Sequence, residues 1–163
     1  MARRRSDSSE DRTEPHLVPN VTQGLAMQVA DYGRARTLRQ VMGLLEGDPI
    51  LTRIFVENLD WRILAPLGLS QCRLIWNDHR LAGFVTWANL DPALARALDE
   101  DDELRIEPED WRGGDEPWIV DAVILPGSEP ALAAMFATLF PEGVQQFRLG
   151  VNARITTAAA GPA

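Results

Sequence analysis

The sequence predicts a single α/β (α+β) domain: a mixed central sheet flanked by helices. Three observations point there. The run Trp118–Leu125 (WIVDAVIL) is almost wholly apolar and closed by Pro126-Gly127, the pattern of a central strand buried on both faces. Gln71–Trp76 and Leu81–Trp87 are two strand-like runs separated by Asn77-Asp78-His79-Arg80, which is turn chemistry. Apolar residues at helical spacing precede, separate and follow these runs.

Taken in order, residues 1–19 are polar with scattered proline and are expected to be a disordered extension. The domain is expected over 20–155. From Thr22 to about Gly47 the residues Leu25, Val29, Leu38, Val41, Met42, Leu44 and Leu45 form an apolar helical stripe, with an interruption expected near Gly33 and a stop at Gly47. Asp48-Pro49 reads as an N-cap with proline at the first helical position, followed by Ile50, Leu51, Ile54 and Phe55. Arg62–Pro66 reads as a short strand ending at proline. After the hairpin, Asp91-Pro92 caps a helix to about Leu98. Beyond the central strand, Ser128 can cap a helix through Leu139 with Leu132, Met135, Phe136 and Leu139 turned inward. Val144–Val151 reads as a last strand, giving a strand–helix–strand crossover with Trp118–Leu125. Residues 156–163 are expected to be a loose tail.

The chain has 163 residues, 45% apolar and 25% charged, with a net charge of −8. That suffices for one sizeable core. No apolar stretch approaches the roughly 20 residues needed to span a bilayer. Met1-Ala2-Arg3-Arg4-Arg5 leads into polar residues without an apolar region, so no secretory signal is expected. The single cysteine, Cys72, fits a reducing compartment, and a cytoplasmic location is expected. Ten acidic residues fall between Asp99 and Trp118, against Arg105 and Arg112, so this segment carries the whole net charge. It reads as a solvated loop or as a docking surface for a basic partner. No basic stripe interleaved with aromatics suggests nucleic-acid binding.

Nucleotide-binding glycine loops, the nucleophile-elbow motif and zinc-protease motifs are missing from the sequence. Cys72 has no nearby partner for a metal site and two distant histidines do not make one, so no metal and no tightly bound cofactor is expected. Asp121 is out of place: a carboxylate inside a buried strand is costly unless it is paired, hydrogen-bonded or functional. It reads either as a structural partner for an arginine or backbone N–H groups, or as a catalytic-site carboxylate. His79 sits in the hairpin turn and reads as exposed, and His16 falls in the extension. Trp76, Trp87, Trp111 and Trp118 lie in or beside the sheet, as core residues or as the lining of an apolar channel.

A series of segments then becomes recognisable: Gly83-Phe84-Val85-Thr86-Trp87-Ala88-Asn89-Leu90, Pro108-Glu109-Asp110-Trp111-Arg112-Gly113-Gly114-Asp115, Trp118-Ile119-Val120-Asp121, Pro126-Gly127 and Phe140-Pro141. In this order and spacing, over roughly Leu44 to Leu149, the chain resembles the toxin-activating lysine acyltransferases of RTX-toxin operons. The resemblance implies a fold similar to the GNAT acetyltransferases. It also implies transfer of a fatty-acyl group from acyl carrier protein to internal lysines of a target protein, a cytoplasmic location and a possible homodimer. The family's aspartate, in the strand after the Trp-x-x-Gly-Asp turn, matches Asp121. The family's histidine, which follows a Ser-Pro, has no match. The Ser-Pro corresponds to Asp48-Pro49, and the histidine position falls on Thr52, or on Leu51 without a one-residue insertion. Neither side chain is a base near neutral pH. Two functional readings follow. One is a divergent acyltransferase in which Asp121 orients or activates the amine and His79 or a substrate group replaces the base. The other is a catalytically inactive pseudo-acyltransferase that serves as a binding subunit or adaptor.

Overall fold

A computed structural model of the protein describes residues 21–101 and 103–154. The expected extension 1–19, the tail 156–163 and His16 lie outside the described residues. The expected class, a mixed sheet with flanking helices, is the one observed.

Helix α1, Val21–Leu45, runs through Gly33 without the expected interruption. The Thr37 hydroxyl donates to the Gly33 carbonyl at 3.1 Å, a bond back along the same helix. Its C-terminal part enters the core through Val41, Leu44 and Leu45, with Leu38 and Met42 packed alongside. Helix α2, Pro49–Glu57, starts as the sequence predicts: the Asp48 carboxylate accepts from the N–H groups of Ile50 (2.9 Å) and Leu51 (3.1 Å). It buries Leu51 and Phe55, and Phe55 meets Phe84 edge-on with ring centroids 5.4 Å apart.

The strand expected at Arg62–Pro66 is helical instead. Asp60–Leu64 is a π-helix that runs into the short helix α3, Ala65–Gly68. Pro66 supplies the reason. It has no N–H to offer the carbonyl of Arg62, so the turn before it widens and the Ala65 N–H reaches back to the Asp60 carbonyl. A short apolar run is equally compatible with a strand and a buried helix, and the proline that suggested a strand end marks the widened turn.

Among the described residues the sheet therefore has four strands: β1 Cys72–Asn77, β2 Arg80–Leu90, β3 Glu116–Ile124 and β4 Gln145–Arg154, in the order β1-β2-β3-β4. The first two pairings are antiparallel and β3·β4 is parallel, as the predicted crossover requires. Helix α4, Pro92–Glu100, is capped by Asp91, whose carboxylate accepts from the Ala93 N–H at 2.8 Å. Helix α5, Glu129–Leu139, makes the crossover. Ser128 sits at its N-cap position, yet its hydroxyl makes no capping bond, contrary to expectation.

One face of the sheet carries two apolar clusters. The first joins α1 and α2 to Phe84 and Val123, and the second joins Trp61, Ala88, Leu90, α4, Ile106, Trp111 and Val120. Helix α5 covers the other face, with Leu132, Met135 and Phe136 half-buried against Ile75, Val85, Ile119 and Ala122. Of the four tryptophans expected in the core, Trp111 is fully buried, Trp87 and Trp118 are half-buried, and Trp76 on the edge strand is 46% exposed. The acidic segment is not simply a solvated loop: Ile106 and Trp111 anchor it in the second cluster while its acidic side chains stay mostly exposed.

The Trp111–Gly114 turn lies directly on the end of β2. The Asn89 N–H donates to the Trp111 carbonyl (2.9 Å) and the Gly114 N–H to the Asn89 carbonyl (2.9 Å). A Cβ on Gly114 would collide with the backbone carbonyl of Leu90, so only glycine permits this approach. Gly114→Ala is expected to lower stability by about 1–3 kcal/mol. Gly43→Ala, in α1 with open space around it, is expected to raise it by about 0.8 kcal/mol. Urea denaturation of both variants checks the contrast.

Candidate functional site

The sheet register places Asp121 in a polar row. Cys72 of β1 is opposite Thr86 of β2, and Thr86 is opposite Asp121 of β3. Directly opposed residues point to the same face, here the face that carries the two apolar clusters. Asp121 has no solvent exposure, Thr86 is 1% exposed and Cys72 is 7% exposed. A bare carboxylate at that depth would be untenable. The π-helix answers it: Arg62 donates from Nη1 to Asp121 Oδ1 at 2.5 Å, its side chain only 13% exposed. Trp61, the preceding residue, stacks beneath the Arg62 guanidinium with the ring centroid 4.3 Å from Cζ. The Trp61 ring is fixed in turn by its own N–H, which donates to Asn58 Oδ1 at 3.0 Å.

The surroundings hold further buried polar atoms. Among the described residues, Thr86 Oγ1 and Arg62 Nε are enclosed and make no hydrogen bond. Gln71 is buried next to the row, its Nε2 donating to the Trp111 carbonyl at 2.9 Å. Burial pushes the Cys72 thiol from 9.0 up to about 12; the Arg73 cation opposes that shift and the Asp121 carboxylate adds to it.

Between Ile119 and Asp121 the register of the parallel ladder shifts. Ile119 pairs with Gln146 and Asp121 with Val151, so β4 advances much further than β3 over this interval. The β2·β3 ladder is also irregular here, between Thr86 and Trp87. Asp121 thus stands beside a register irregularity in both of its strand pairings, as well as at the meeting of the two clusters.

The other residues singled out in the sequence lie elsewhere. Leu51 is buried in the first cluster. The Thr52 hydroxyl donates to the Leu45 carbonyl at 2.7 Å, tying the start of α2 to the end of α1. His79 occupies the two-residue loop between the paired Asn77 and Arg80. The strand from Arg80 to Thr86 spans about 20 Å at the usual rise per residue, so this histidine does not meet Asp121. The residue that sequence reasoning missed is Arg62. Its signal was Pro66, four residues later, whose missing N–H favours a widened helical turn over a strand.

The chain matches the RTX toxin acyltransferase family over residues 32–154, a span that contains every element of the site. No curated protein matches it.

Two predictions follow from the buried row. Arg62→Met leaves Asp121 without its cation and is expected to cost about 3–5 kcal/mol, whereas the double variant Arg62→Met/Asp121→Leu is expected to be near neutral. A double-mutant cycle in urea measures both. Cys72 is expected to resist thiol reagents at neutral pH until the protein unfolds. Its raised value stabilises the fold fully below pH 9, and that contribution fades as pH rises from 9.0 through about 12. A stability-against-pH comparison with Cys72→Ala checks the sign.

Proposed function

The chain belongs to the RTX toxin acyltransferase family, and from that membership we propose that it transfers a fatty-acyl group from acyl carrier protein to lysine side chains of a target protein. The observation that carries the reading is the coincidence of the matched span with a charged pair buried against the sheet: Asp121 and Arg62, beside the register shift between β3 and β4. Asp121 is the carboxylate proposed to organise the reaction. Fixed by Arg62, it acts as a positioning residue that sets the field beside the β3–β4 irregularity, where the attacking amine develops positive charge as it adds to the thioester carbon. The tetrahedral intermediate then expels the carrier's thiolate, which takes up the proton the amine gives away. The chemistry needs no group beyond the acyl thioester and the amine, so no bound cofactor enters the proposal.

The protein is proposed to work in the cytoplasm, where acyl carrier protein and a newly made target would meet. No helix of the described residues is long and apolar enough to cross a membrane. A homodimer belongs to the same reading.

Three observations favour a second reading. Asp121 is fully buried and ion-paired, Thr52 is engaged by Leu45, and His79 lies at the far end of the hairpin. On this reading the chain is a pseudo-acyltransferase that keeps the fold and serves as a binding subunit or adaptor.

Incubation with acylated carrier protein, followed by intact mass, separates the two. Transfer predicts loss of the thioester that Asp121→Asn slows by roughly 10²-fold or more, the scale of losing a positioned catalytic group. Thioester loss no faster than the carrier's own hydrolysis would leave the binding-subunit reading standing.

A further inference from the structure

Arginines from three different elements meet at one short stretch of chain, the end of α3. Arg34 of α1 donates from Nη2 to the Gly68 carbonyl at 3.4 Å. Arg112 of the Trp111–Gly114 turn donates to the next carbonyl, that of Leu69. Arg73 of β1 donates from Nη1 to the carbonyls of Ser70 (3.4 Å) and Cys72 (3.0 Å). Consecutive residues are about 3.8 Å apart, so the guanidinium groups form one cluster. The carboxyl end of a four-residue helix offers little charge to hold three cations together.

Carboxylates do little to neutralise the cluster. Arg34 has Asp31 at 3.3 Å, in an exposed pair. Among the described residues Arg73 and Arg112 form no ion pair, although Asp110 and Asp115 are near Arg112 in sequence. Arg73 lies instead over the Trp87 ring, Cζ 5.6 Å from its centroid. All three arginines are exposed. A guanidinium carries five N–H donors, and the bonds described engage one or two on each, so donors remain for an outside acceptor. Leu64, 44% exposed, stands about one helical turn before Gly68 and adds an apolar contact at the edge of the cluster. The chain as a whole carries a net charge of −8. It repels an acidic partner over most of its surface, so such a partner is steered to the place where cations converge. That place adjoins the buried pair. Cys72, two residues after Ser70, is opposite Thr86, which is opposite Asp121. Arg62 lies in the π-helix that runs into α3.

We propose that Arg34, Arg73 and Arg112 form a docking surface for the acidic face of a partner protein. On the function proposed above, that partner is the acyl carrier protein, an acidic protein, and docking brings its acyl cargo to the part of the sheet that holds the polar row. The assignment to the carrier rests on that reading; the docking surface does not.

The test is an NMR titration of the full chain with an octaglutamate peptide, with unacylated carrier protein and with a short DNA duplex, following the Nε–H signals of Arg34, Arg73 and Arg112. Saturable shifts are expected with the peptide and with the carrier, and both are expected to vanish in roughly 0.5 M salt, where charges are screened within about 4 Å. Arg73→Gln and Arg112→Gln should each weaken carrier binding about fivefold, the upper end for one exposed charge pair. Asp31→Asn should tighten it about twofold by releasing Arg34, an effect that a purely structural cluster would not produce. Arg96→Gln, on the exposed side of α4, should leave it unchanged. Glutamine keeps an N–H donor for the backbone carbonyl at each site, so folding is retained. Binding of octaglutamate but not of the carrier would support the surface and overturn the carrier assignment. DNA bound more tightly than either would overturn the protein partner. Binding that ignores Arg73→Gln and Arg112→Gln, or no binding of any probe, would overturn the surface. No thioester is consumed in this titration, so its failure is distinguishable from failure of the transfer reaction.

Discussion

The pair between Arg62 and Asp121 is the constraint around which the described fold is arranged. A carboxylate with no exposure sits in an inner strand of the sheet, and one guanidinium reaches it at 2.5 Å. Such a pair is a poor source of stability. Desolvation of both charges roughly cancels their attraction, and apolar replacements of similar volume are commonly as stable. Its presence therefore asks for a reason other than stability, and its location suggests one. It lies where two apolar clusters meet and where the ladders on both sides of β3 lose their register.

The surrounding structure serves that pair. Pro66 denies the Arg62 carbonyl its usual partner, and the widened turn that results carries Arg62 onto the sheet. Trp61 packs under the guanidinium and is itself held by Asn58, so the cation has little freedom to move. On the sheet side, Gly114 lets the Trp111 turn close over β2, and the Trp111 carbonyl engages both Asn89 and the buried Gln71. The polar row is thus enclosed by a helix turn on one side and a backbone clamp on the other.

Much of this was legible in the sequence because the signals were local. The Asp48-Pro49 and Asp91-Pro92 caps, the Asn77–Arg80 turn and the unbroken apolar run of β3 each specify one element through chemistry within a few residues. Asp121 stood out for the same reason: one charge in an apolar strand. Its partner did not, because Arg62 lies 59 positions away and the turn that presents it was read as a strand. A π-helix has no residue pattern of its own. It shows in the sequence only as a proline whose missing N–H must be accommodated. Trp76 misled for a related reason: β1 is an edge strand, so an apolar residue there need not be covered, and strand order is not written in any single strand. The family resemblance and the matched family agree.

If the buried pair is kept for chemistry rather than for stability, the two properties should separate. The direct measurement is thioester consumption from acylated carrier protein by the double variant Arg62→Met/Asp121→Leu, made on protein whose stability has been determined. The expected result is a fold about as stable as the parent and no thioester loss above the carrier's own hydrolysis. A double variant that consumes thioester at the parent rate would contradict a catalytic role for the pair.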